Sequence, residues 1–173
     1  MNRLESCSIL NVALNRIQIE GEISSEIYAL LVTLFPTVIA PTLEILDNGK
    51  VTKIQCQESK RHFYRVRDSS HVQAQKNRTA GYVSQFNGAN DSECADMNHD
   101  VIKEMCFCYF FAKECMSENG GAIFCKHILA SKLAEALGIA VIKEIEDKDY
   151  APLLLGSKAH MNKFEDKRGA AAQ

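Results

Sequence analysis

The sequence predicts a small α+β protein, and three observations carry that reading. Residues 1–50 place apolar side chains at helical spacing. Residues 51–67 switch to the apolar–polar alternation of half-buried strands. Further on, Cys106, Cys108, Cys125 and His127 form a Cys-x-Cys, Cys-x-His pattern able to tie a strand to a helix through one metal ion. A length of 173 residues suits one domain, and an apolar content of 46% is enough for a core. The expected organisation is a helical region over 1–50, then a hairpin with a metal module over 51–138, its metal core at 105–138. A short extension with a disordered tail follows over 139–173.

In the helical region, Leu10, Ala13, Leu14 and Ile17 recur on one face until Gly21 interrupts them. Ser24 or Ser25 then offers a cap, and Glu26 sits in the first turn, where negative charge is favourable. Ile27, Leu30, Leu31 and Leu34 make the next stripe, which Pro36 stops. This face reads as core, with docking of a partner protein as the functional alternative. A third helix fits Val38 to Leu46, with Pro41 in its first turn. Asp47-Asn48-Gly49 is a turn signal.

Val51 to Cys56 and His62 to Arg67 alternate as two strands, with a polar turn at Gln57 to Arg61, so a hairpin is expected. Thr79 to Phe86 is a weaker strand candidate. Residues 87–100 carry Gly, Asn, Asp and Ser and read as a loop. Met105 to Phe111 reads as a strand, and Ser117 to Gly121 as a flexible link. Lys126 to Leu137 reads as a helix on its Leu129, Leu133 and Leu137 stripe, and Gly138 stands where a left-handed C-terminal cap belongs. Beyond Gly156 the chain is polar and reads as frayed.

The four Cys and His residues match the number of ligands in a closed tetrahedral zinc site. Such a site has no open position for water or substrate, so it serves architecture and not catalysis. On a strand, Cys106 and Cys108 would share one face, with Phe107, Tyr109 and Phe111 packed on the hairpin from the other. Residues two apart inside a helix point to nearly opposite sides. Cys125 must therefore precede the helix and His127 lie in its first turn, where the helix terminus favours the thiolate. Structural zinc contributes on the order of 10–16 kcal/mol in finger peptides. Whole domains are stable by about 5–15 kcal/mol, so loss of one ligand is expected to unfold the module.

Seven cysteines without a recognisable secretory signal at MNRLESCS are expected to be reduced thiols. Cys115 reads as a spectator, because four better-spaced ligands already complete a tetrahedron. Cys94 with His99 lacks a second pair. Asp91, Glu93, Asp96 and Asp100 lack the glycine and terminal glutamate of a calcium loop. The net charge of −2 gives no general attraction to nucleic acid or anionic membrane. No apolar run reaches a membrane span.

Locally, residues 51–81 hold seven Lys or Arg against two acids, whereas residues 82–104 hold five acids against Lys103. Arg61, Phe63, Arg65 and Arg67 share a strand face. They are candidate contacts for single-stranded DNA, by phosphate pairing and base stacking. The plainer reading is a solvated face balanced by the acidic stretch, and it is preferred because surface charge runs are common. Neither a phosphate-binding Gly-x-x-x-x-Gly-Lys-Ser/Thr loop, nor a His-Glu-x-x-His helix, nor a Gly-x-Ser-x-Gly elbow occurs. No nucleotide chemistry and no enzyme activity is expected.

The stretch CFCYFFAKECMSENGGAIFCKHILASKL resembles SWIM-type zinc fingers: Cys-x-Cys, a variable linker, then Cys-x-His followed by Ile or Leu on a helix. LEILDNGKVTKIQ and RHFYRVRDSS extend the similarity to the small SWIM-domain proteins of the eukaryotic Shu complex, over roughly residues 24–138. That resemblance implies a nuclear, non-enzymatic factor in homologous recombination, with one structural zinc. Its implied partner is a RecA-like recombinase paralogue, and it would promote recombinase filament assembly on single-stranded DNA. Alternatives within the SWIM class are a module that binds DNA directly, as in Mutator-type transposase proteins, and an adaptor in ubiquitin ligation. The segment from His71 to Glu104 is longer than the strand link expected for the family.

Overall fold

The computed structural model describes residues 3–68, 97–117 and 121–155. Three helices open the chain: α1 (Arg3–Glu20), α2 (Ser25–Leu34) and α3 (Ile39–Asp47). Each follows its predicted stripe. Leu10, Ala13 and Ile17 of α1 are buried, as are Ile27 and Leu31 of α2. Ser24 caps α2, its hydroxyl accepting from the Ile27 N–H. Pro41 lies in the first turn of α3, where the missing N–H costs nothing.

The strands are β1 (Val51–Cys56), β2 (His62–Asp68), β3 (Met97–Ile102), β4 (Met105–Cys106) and β5 (Val141–Ile145). They form one sheet in the order β4-β3-β2-β1-β5. The predicted hairpin is present, with Val51 opposite Val66 and Ile54 opposite Phe63. Helix α4 (Lys126–Ala136) crosses one face of the sheet and packs on α1 and α3. Its end is the predicted cap: Gly138 takes a φ of 67°, its N–H reaches the Glu135 carbonyl, and Ile139 N–H reaches the Ala134 carbonyl.

Two expectations need correction, and the C-terminal extension adds a strand. Residues 97–100 are not loop but the start of β3, antiparallel to β2. Their polar composition concealed a strand, because His99 and Asp100 are buried against partners; Asp100 lies directly opposite Arg65 and forms a two-point ion pair with it. Residues 105–111 are not one strand: β4 stops at Cys106, and the chain then winds into a wide helical turn at Phe111–Cys115, closed by Met116 N–H on the Phe111 carbonyl. Phe107 and Tyr109 are consequently exposed instead of packing on the hairpin, while Phe111 is buried. Finally, the short extension contributes β5, parallel to β1, followed by a tight turn at Asp147–Asp149 and a helical turn over 150–155. The strand candidate Thr79 to Phe86, most of the link Ser117 to Gly121 and the tail beyond Gly156 lie outside the described residues.

One continuous core runs from Leu10 to Ala134 and joins the helical region to α4 and the inner face of the sheet. Phe35 stacks on Phe124, and the Thr42 hydroxyl, fully buried, donates to the Val38 carbonyl and reaches the Lys126 carbonyl. A second, smaller core of Ile54, Cys56, Phe63 and Ile145 lies on the outer face, covered by Tyr150, Leu153 and Leu154.

Candidate metal centre

Two pieces of chain bring the four ligand candidates together. Cys106 ends β4 opposite Val101, on the inner face of the sheet. Cys108 lies just beyond, at the entry to the helical turn, and accepts a hydrogen bond from the Phe111 N–H at 3.3 Å. Cys125 is the N-cap of α4, in extended conformation with φ −81° and ψ 165°, and His127 lies in the first turn. This is the placement that helix geometry demanded of a Cys-x-His pair. The Cys106–Cys108 pair converges by another route than predicted, since a turn and not a strand carries Cys108.

The three sulfurs and one imidazole nitrogen lie within 4.8 Å of one another, and all four residues are buried. Cys106 Sγ stands 3.7 Å from His127 Nδ1. Tetrahedral zinc with ordinary Zn–S and Zn–N bonds sets that separation at about 3.6 Å. The four side chains thus fit one structural zinc ion, with Nδ1 as the imidazole donor.

The electrostatics of the cluster favour a cation. Hydrogen bonds from Cys106, then Cys125, hold Cys108 below the ordinary thiol range. Cys106 is pushed far up, first by Cys108 and then by Cys125. Cys125 is lowered by Cys106, but Cys108 and burial outweigh this and push it up to about 12. Burial opposes charge on His127, yet Asp68, followed by Cys106 and Cys108, raises it to about 10. A dication lets all three sulfurs be thiolates and the imidazole be neutral, and its binding releases protons.

The remaining site candidates separate. Phe63, Arg65 and Arg67 alternate along β2 with Arg61 just before the strand, and Phe63 is wholly buried beneath the 150–155 turn. As placed, its ring cannot stack on a base. Arg65 is held by Asp100 and the Leu153 carbonyl, and Arg61 by Asp147. Asp147 also accepts from the Glu58 and Ser59 N–H groups, so the hairpin turn is clipped to the C-terminal segment. Cys115 is buried in the main core and outside the four-ligand group. Cys94, Asp91, Glu93 and Asp96 lie outside the described residues.

Sequence reasoning missed the surroundings of His127. Asp68, Lys126 and His99 meet there: Asp68 Oδ2 lies 3.2 Å from His127 Nε2 and 2.7 Å from Lys126 Nζ. The His99 ring stacks on the His127 ring at 3.9 Å. The available signal was Asp68 at the end of an alternating strand on the Tyr64 and Val66 face, a buried position for a charged residue.

The chain is 26% identical over 150 residues to a protein of Dictyostelium discoideum named zinc finger SWIM domain-containing protein 7 homolog. The match covers 84% of this chain and 81% of the relative. The resemblance to SWIM-type zinc fingers read from the ligand pattern is borne out by this similarity. No protein-family model matches the chain, and no solved structure matches it.

Proposed function

We propose that the chain is a non-enzymatic zinc-binding accessory factor of homologous recombination, acting in the nucleus within a Shu-type complex. Its partner in this reading is a RecA-like recombinase paralogue, and its task is to promote recombinase filament assembly. The observation that carries the non-enzymatic part is the closure of the metal cluster. Its four ligands, Cys106, Cys108, Cys125 and His127, are buried and use up a tetrahedron, so the zinc is a structural fastener. Beside the cluster, Met105, Phe107, Tyr109 and Met116 are exposed. A run of exposed apolar side chains on a rigid, metal-tied turn suits a protein partner. The SWIM-domain name of the Dictyostelium relative supports the same class.

The test is affinity purification of the tagged chain from cells, with mass spectrometry and metal analysis. The expected result is one zinc per chain and a RecA-like protein in stoichiometric yield, both lost in Cys106→Ser and His127→Ala. A variant that drops zinc yet retains that partner at normal affinity contradicts the reading. Direct binding to single-stranded DNA is the rival outcome. It would appear as tight, salt-steep binding by the isolated chain, weakened by neutralising Arg61, Arg65 and Arg67.

A further inference from the structure

Asp68, His99 and His127 also place one ligand atom each within 4.8 Å of one another, which raises the question of a second metal ion. Charge decides against it. The Lys126 ammonium already occupies the cation position, 2.7 Å from Asp68 Oδ2. A second ion would also need His127 to bind metal through both ring nitrogens.

We infer that Asp68 is the positioning residue for the zinc ligand His127. His127 presents Nδ1 to the cluster, 3.7 Å from Cys106 Sγ, and Nε2 to Asp68 at 3.2 Å. A carboxylate at Nε2 requires a proton there, so the imidazole is fixed as the tautomer whose Nδ1 lone pair faces the metal. The carboxylate is itself buried, and Lys126 balances its charge. Lys126 stands between Cys125 and His127 in sequence, so the helix turn that delivers two ligands also delivers this counter-charge. His99, opposite Val66 on β3, closes the ring plane from the other side by stacking. The sheet thus orients a ligand that the helix supplies.

This inference rests on the zinc reading, and the experiment separates the two. Wild type, Asp68→Asn and Asp68→Ala are titrated with zinc against a chromogenic chelator, using the full chain. Wild type is expected to take one equivalent. Asp68→Ala should bind about 10–100-fold more weakly. Asp68→Asn, whose amide oxygen still accepts from Nε2–H, should recover most of that loss. In parallel, nitrogen NMR of histidine-labelled, zinc-bound wild type should show His127 protonated at Nε2 and metal-bound at Nδ1. A purely structural role for Asp68 would leave the tautomer unassigned to it and give no rescue by Asn. Wild-type affinity in Asp68→Ala, or zinc on Nε2, overturns the inference while leaving the zinc centre standing. Failure of wild type to bind zinc overturns both.

Discussion

The two faces of the sheet are built from the same strands by different means. The inner face carries Tyr64, Val66, Asp68, His99, Val101 and Cys106 toward α4, and it closes over a large core and a metal cluster. The outer face carries Ile54, Phe63, Arg65 and Asp100, and it closes over a small apolar cluster with ion pairs at its margin. A single side chain can therefore matter far more on one side than on the other, because the metal concentrates stabilisation in four atoms. On the outer face, stability is spread over area and hydrogen bonds.

The widest separation of the two faces should come from the metal. Cys125→Ser, or strong chelator, is expected to remove stabilisation on the order of 10 kcal/mol and abolish cooperative thermal unfolding. Circular dichroism with elemental analysis reads both losses, and retention of a sharp transition in chelator would erase the contrast. Phe63→Ala on the outer face should cost about 3–5 kcal/mol in denaturant unfolding, with zinc still at one equivalent in the folded protein. Asp100→Ala strands the partly buried Arg65 guanidinium and should cost about 1–3 kcal/mol in the same assay.

The pH dependence of metal binding sharpens the comparison, since the four ligands lie on the inner-face side. Without metal, burial opposes charge on His127 but Asp68 and the cluster sulfurs raise it, so the ring holds a proton that zinc must displace. Zinc requires the neutral ring and thiolates, so acid favours the metal-free form. Zinc affinity is expected to fall about tenfold per pH unit on acidification for each proton displaced, measured by chelator competition. The smallest effect should be Arg67→Gln, an exposed strand position, at about 0.5 kcal/mol or less.

Much of this was legible in the sequence, and the failures share a cause. Helical stripes, the hairpin and the Cys-x-Cys, Cys-x-His ligands carry local, periodic signals that need no knowledge of distant partners. β3 escaped because Asn98, His99 and Asp100 look like loop residues until Arg65 and His127 are placed beside them. The stretch from Phe107 to Phe111 looked like a strand because its aromatics have high strand propensity. Tertiary context wound it instead, with Cys108 Sγ taking the Phe111 N–H. Val141–Ile145 carries a short β-branched signal, but its place beside β1 is a parallel pairing across most of the chain, which no local pattern encodes.

That parallel pairing has a consequence for biosynthesis. Thr52–Cys56 leave the ribosome roughly 90 residues before their partners Val141–Ile145, so the closing edge of the sheet is a late, non-local event with a slow entropic search. The ligands lie only 21 positions apart, from Cys106 to His127, and all of them emerge ahead of the C-terminal strand. Truncation before residue 141 would leave the flank of β1 without its partner strand.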